Sequence, residues 1–395
     1  MLEGSFYLVA AAGSPNYGDD FIARAWLRFL AAEHPDVPVW LDCLDPGVAS
    51  VMLGSEHPNV HFTSTLWGLT HLPGADEQES MRPRMQRYSR ELGTPRLDLG
   101  IEALRSVRSI HLVGGGYLND IWVRNLGIVN AVAELHRSFG VRVFATGQGL
   151  LPNAELSGAE LVDDLAQFEF LEARDRAGAE AAHAHLGLDD AFLDYDHAVA
   201  RSGLSPRAVV LVQGDFISEE AWTDLEDAVH RFAGRYGGED GEGLAFLEFY
   251  PPLDSQRWPS IGTRYPKAEF IPFQRLWQEG LPIAPEQHWL TTRFHGHLLA
   301  AANGAHGVAV SVSADYYATK HQSLVDVGTG WGVLALEDLS EIRTSLDLAF
   351  PERAAEYQRR KLETARTLYP RSPAQTSWKA RLNALLRGAG RTRSS

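Results

Sequence analysis

Short apolar and β-branched runs alternate with helix-length amphipathic stretches along most of this chain, and several of the runs end in glycine-bearing turns. Strands separated by helices pair in parallel, so the alternation leaves few topologies other than layered α/β domains. Strands are expected at residues 6–11, 39–43, 109–113 and 141–146, with helices at 20–33 and 128–139 between them. The run Arg201-Ser202-Gly203-Leu204-Ser205-Pro206 interrupts this series and marks a domain boundary. A second series follows: a strand at 208–213, a helix at 219–236, strands at 243–249 and near 268–271, a helix opened by His295, and a strand at 307–311. The expected class is therefore α/β and GT-B-like. Two Rossmann-like domains, residues 1–202 and 203–350, face a cleft, and a C-terminal helical segment, 351–395, returns to the first domain.

Composition narrows the function classes. The net charge of -15 excludes a general nucleic-acid binder, which needs a basic footprint to displace counterions from phosphates. No apolar run approaches the ~20 residues of a membrane span. The N-terminal apolar stretch has no basic residue before it and reads as a first strand rather than a signal peptide, so a cytoplasmic protein is expected. Cys43 is the sole cysteine, which excludes an intramolecular disulfide and a thiolate metal cluster. Lysine occurs only at Lys267, Lys320, Lys361 and Lys379 among 36 basic residues, so each lysine is informative.

Four glycine turns follow expected strands, where backbone amides and nearby side chains can face a ligand. In Gly13-Ser14-Pro15-Asn16-Tyr17-Gly18-Asp19-Asp20, Asp19 and Asp20 either cap the helix or serve a catalytic or hydroxyl-binding role. Gly114-Gly115-Gly116-Tyr117-Leu118 lacks the lysine of a P-loop and the full spacing of a dinucleotide fingerprint. In Thr146-Gly147-Gln148-Gly149-Leu150-Leu151-Pro152, Gln148 either bonds a ligand or ties down the loop. The sharpest is Thr291-Thr292-Arg293-Phe294-His295-Gly296-His297, which opens a helix of small residues. Arginine offers a bidentate fork for phosphate or carboxylate at a helix N-terminus, and a histidine beside it can move protons. A metal pair is not expected of His295 and His297, because residues two apart on a helix point to opposite sides. Downstream, Lys320 ends the loop 313–320 after a strand adjacent to the Arg-His turn and supplies a second cation for a dianion.

Taken together and in this order, the turns resemble the polysaccharide pyruvyl transferase family. Its N-Y-G-D turn falls on Asn16–Asp19, its glycine loop on Gly114-Gly115-Gly116, its G-Q turn on residues 147–152 and its R-D segment on Arg174-Asp175. Its R-φ-H turn and lysine loop fall on Arg293-Phe294-His295 and Lys320. The resemblance implies transfer of pyruvate from phosphoenolpyruvate to two hydroxyls of a sugar or lipid-linked glycan as a cyclic ketal, with no metal or other cofactor. It further implies that Arg174, Arg293 and His295 bind the donor, with Phe294 in the apolar place between; the proton transfers of ketal formation then suit His295 as acid/base and Lys320 on the leaving phosphate. Asp19 and Asp196 match further site positions, and Asn16, Gly115, Gly116 and Gln148 complete the expected cleft lining. The chain departs from the family at Gly304-Ala305-His306-Gly307-Val308 and in the longer lysine loop.

The rival readings are a GT-B glycosyltransferase using a nucleotide sugar and a non-catalytic sugar-binding protein of the same fold. No convincing E-x6-E pair supports the former. The polar segment 74–96, with Arg82, Arg84, Arg87 and Arg90 close together, reads as a solvated helix face in preference to an acceptor lid. The basic amphipathic stretch 378–387 either docks on the first domain or makes a peripheral contact with an anionic membrane.

Overall fold

The computed structural model describes residues 4–72, 80–200, 205–312, 316–339 and 341–371, and two all-parallel sheets organise them. The first sheet contains β1 (Phe6–Val9), β2 (Val39–Asp42), β3 (Val60–Thr63), β4 (Ser109–Leu112), β5 (Arg142–Gln148), β6 (Phe170–Ala173) and β7 (His185–Leu186), in the order β3-β2-β1-β4-β5-β6-β7. The second contains β8 (Ala208–Leu211), β9 (Leu244–Leu247), β10 (Glu269–Ile271), β11 (His288–Thr291), β12 (His306–Ser311) and β13 (Gly332–Ala335), ordered β10-β9-β8-β11-β12-β13. Both have the order of a Rossmann fold, so each has a crevice where the order reverses, beside β1 and β4 and beside β8 and β11. The GT-B-like expectation is met. Strands β3, β6, β7 and β13 were not among those expected, and β3, β7 and β13 are exposed or half-buried rather than continuous apolar runs.

The helix Tyr17–Glu33 is buried on most of its surface because it lies between the domains. The Tyr17 amide donates to the Phe249 carbonyl at 3.0 Å, the two rings stack 4.6 Å apart, and the Arg24 guanidinium sits 4.4 Å over Trp277. One apolar cluster thus runs through the seam from Phe21 to Leu276.

The helix Phe350–Leu368 returns to the first domain through a buried ion cluster. Lys361 Nζ donates to Asp190 Oδ1 at 2.7 Å and also to Glu172. The other Asp190 oxygen accepts from Trp26 Nε1 at 2.7 Å, the Gly114 amide at 2.8 Å and Thr146 Oγ1 at 2.6 Å. Burial disfavours both charges, but attraction to Asp190 and Glu172 raises the Lys361 pKa and attraction to Lys361 lowers that of Asp190. This contribution to stability is present between the unfolded values, ~3.9 for Asp and ~10.4 for Lys. It is lost as pH falls through the folded Asp190 value or rises through that of Lys361.

Within 74–96, residues 81–91 form a helix whose Met85 and Tyr88 are buried and whose Arg82 pairs with Asp164 at 2.9 Å, a packed face rather than a lid. Residues 73–79, the boundary residues 201–204 and the basic stretch 378–387 lie outside the described residues. Replacing Lys361 with alanine strands two buried carboxylates and is expected to lower unfolding stability by about 3–5 kcal/mol. Urea titration checks this, and a change below about 1 kcal/mol would contradict the buried-cluster account.

Candidate active site

Four of the turns that face the cleft lie at the two switch points. After β1 comes the turn 13–20; after β4, the glycine loop; after β8, residues 212–217; and after β11, Arg293-Phe294-His295. Arg174 follows β6 and Lys320 follows β12. Together they line a cavity of about 530 Å³ that contains Asn16, Gly18, Asp19, Gly116, Arg174, Asp215, Arg293, Phe294, His295 and Lys320.

Asp19 and Asp20 divide the alternatives between them. Asp20 accepts from the Gly13 and Asn16 amides at 2.9 and 3.0 Å, so it braces the turn. Asp19 lines the cleft and accepts from Asn16 Nδ2 at 2.8 Å. Burial raises the Asp19 pKa, against the pull of His295, Lys320 and Arg174. Burial, reinforced by Arg174, conversely drives Lys320 well below the usual lysine range.

The cations are held by buried acids. Arg174 Nη1 donates to Asp189 Oδ2 at 2.8 Å, and its guanidinium lies 4.1 Å over the Phe294 ring. Asp189 Oδ1 is 3.4 Å from His295 Nε2. Burial opposes charge on Asp189, yet His295 and Arg174 hold it well below the ordinary carboxylate range, so it is ionised. Arg293 pairs with Asp215 at 2.7 Å and with fully buried Asp254. Asp254 also accepts from the Phe249 and Tyr250 amides, both at 3.0 Å, which fixes the guanidinium to the second domain. Asp189, Asp215 and Asp254 were not singled out from sequence, because acids after strands are common and their pairing is long-range.

Glycines make room for the charged groups. A Cβ on Gly18 would lie 1.9 Å from His295 Nδ1, and one on Gly149 would lie 2.8 Å from an Arg174 nitrogen. The N-Y-G-D turn therefore receives the histidine of the opposite domain.

Three expectations need correction. Gln148 is not a cleft residue: its buried Nε2 donates to the carbonyls of Leu112, Val113 and Thr146, which knits the ends of β4 and β5. Asp196 is exposed on a 3-10 turn and bonds Gln358 Nε2 at 2.7 Å, so it supports the C-terminal helix and does not line the cleft. Lys320 stands in the helix Tyr316–Asp326 rather than on a loop, and this helix brings it into the cavity. Gly115 lies just behind the lining, where a Cβ would approach Asp19 at 3.4 Å, while its carbonyl accepts from the Gly149 amide. His297 turns away from His295 and stacks 4.6 Å from Trp331. Among the described residues the group with metal-ligand spacing is Asp194, Asp196 and His197, none of which lines the cleft.

The fold and its inter-domain crevice define a GT-B-class protein. UDP-GlcNAc 2-epimerase from Methanocaldococcus jannaschii matches with TM-score 0.51 at 11% identity, over 90% of this chain and 98% of that one. The Neisseria meningitidis UDP-GlcNAc 2-epimerase bound to UDP-GlcNAc matches with TM-score 0.50 at 7% identity, over 92% and 94%. These likenesses concern the fold alone. No curated protein sequence matches the chain. The model of the polysaccharide pyruvyl transferase family matches residues 16–314, and the chain belongs to that family. No helix among the described residues is long and apolar enough to cross a membrane.

Gly18→Ala is expected to displace the His295 ring and reduce pyruvyl transfer at least about tenfold, since small misplacements are costly to catalysis. Its melting temperature should shift by only a few degrees. Unchanged turnover would show that the ring has room to move.

Proposed function

We propose that the protein transfers pyruvate from phosphoenolpyruvate to two hydroxyls of a sugar acceptor, forming a cyclic ketal. The observation that carries this reading is the convergence of Arg174, Arg293 and Lys320 with His295 and Asp19 in one cleft. Phosphoenolpyruvate offers a phosphate and a carboxylate, and guanidinium forks suit both. Asp189 and Asp254 hold the two arginines in place, so little ordering is needed when an anion arrives.

The Asp189 contact of His295 and the burial of Asp19 divide the proton work. His295, backed by ionised Asp189, accepts the proton of the first acceptor hydroxyl as its oxygen attacks C2. Asp19, whose raised pKa favours the protonated form, delivers a proton to C3, and the vinyl carbon becomes a methyl group. The second hydroxyl then attacks C2 and gives its proton to the Asp19 carboxylate. Phosphate departs with the proton from His295, and Lys320 stabilises its charge. Two C–O bonds form, one C–O bond to phosphate breaks, and both acid/base groups return to their starting states. No step requires a metal.

His295→Ala and Asp19→Asn are each expected to lower kcat by about 100-fold or more while phosphoenolpyruvate still binds. Phosphate release and a gain of pyruvate mass on the acceptor read this out, and full activity in either variant would remove that residue from the scheme. Binding should also take up protons, because an added anion raises the pKa of both Lys320 and Asp19. Calorimetry in buffers of different ionisation enthalpy should therefore give buffer-dependent heats, with affinity falling as pH rises. Proton release on binding would reverse the electrostatic assignment. The glycosyltransferase alternative predicts tight nucleotide-sugar binding and no response to phosphoenolpyruvate.

A further inference from the structure

We propose that Trp122 and Phe216 form a sugar-stacking corner at the mouth of the cleft that grips the apolar C–H face of the acceptor's pyranose ring. This rests on the pyruvyl-transfer reading above and names the subsite of its second substrate.

Both rings line the cleft, yet Trp122 is 47% and Phe216 57% exposed. Large aromatic side chains left in water beside a ligand cavity mark a contact surface more often than a packing accident. They come from opposite domains and meet edge to face, with ring centroids 6.0 Å apart and planes at 84°. The backbone at Phe216 is unusual, and that at Trp122 departs from the turn it sits in. Phe216 adopts a left-handed φ of 54°, costly for a side chain with a Cβ, and Trp122 breaks the 3-10 turn Asp120–Asn125 with φ -122° and ψ 49°. Such conformations concentrate where a side chain must be presented rather than buried.

The corner is tied directly to the charged end of the site. Phe216 follows Asp215, which pairs with Arg293. The turn bearing Trp122 is held by Asn119, whose side chain donates to the Gly116 carbonyl at 2.9 Å and accepts from the Ile121 amide at 3.1 Å. A ligand resting on the two rings therefore extends from the anion clamp to the cleft mouth. The cavity of about 530 Å³ has room for more than a three-carbon acid. Phosphoenolpyruvate lacks an extended apolar face, whereas one face of many pyranoses is a patch of C–H bonds ringed by hydroxyls. His71, Asn16 and Asn125 also line this cavity and supply polar contacts for those hydroxyls. The perpendicular rings favour a sugar over a nucleotide base. A flat base is best held between parallel planes, but a puckered ring can set its face on one plane and its edge on the other.

The test uses the full-length protein with phosphoenolpyruvate and a panel of methyl pyranosides of glucose, galactose, mannose and their N-acetylamino analogues. Saturation-transfer NMR is expected to show strongest transfer to ring C–H protons on one sugar face. Trp122→Ala is expected to weaken binding of the best panel member about tenfold and Phe216→Ala several-fold, with Trp122→Phe retaining most of the affinity. Calorimetric affinity for phosphoenolpyruvate should stay within about twofold in all three variants, which also shows that the fold is intact. Panel binding that is absent in the wild type, or unaltered in both alanine variants, overturns the corner. Uridine diphosphate binding that depends on Trp122 would reassign the rings to a base. A wild type that binds no phosphoenolpyruvate would instead fail the pyruvyl-transfer reading, a separate result.

Discussion

Two adjacent buried carboxylates, Asp189 and Asp190, join the frame of this protein to its site. Asp190 gathers the helix between the domains through Trp26, the glycine loop through Gly114, β5 through Thr146 and the last described helix through Lys361. One residue earlier, Asp189 holds Arg174 and stands against His295 of the other domain. A buried carboxylate is tolerated only when it is paired and hydrogen-bonded, so each acid fixes several partners at once. The positions of His295 and Arg174 in the cleft are thus set by the same dipeptide that organises the first domain.

Charge balance in the cleft follows from this. Each arginine is held by buried acids, so the pocket is not a bare cationic sink. It is a preorganised arrangement whose adjustable members are Asp19 and Lys320, both displaced by burial toward their neutral forms.

The sequence made the doubly wound architecture legible because strands such as β1 and β8 are fully buried and apolar, and β1, β4 and β8 all lead into glycine-bearing turns. The cleft residues Asn16, Asp19, Arg174, Arg293, Phe294 and His295 were legible because they follow strands at the crevices or match motif positions. Gln148 and Asp196 read as site residues for the same positional reason. The first is drawn into bonding strand-end carbonyls and the second is turned outward by a 3-10 turn. Asp189, Asp215 and Asp254 were illegible because their role depends on arginines distant in sequence. Trp122 and Phe216 were equally hidden, since their exposure and mutual contact exist only once two domains meet.

The return of Lys361 to Asp190 also bears on how the chain is made. The first sheet is complete in sequence by Leu186, yet Asp190 and Glu172 lack the counter-charge of Lys361 until the helix Phe350–Leu368 has been synthesised. Until Lys361 is in place, Asp190 is supported only by its neutral donors from Trp26, Gly114 and Thr146. The buried charge balance of the first domain is therefore complete only when the helix Phe350–Leu368, which follows the second domain in sequence, has docked back onto it.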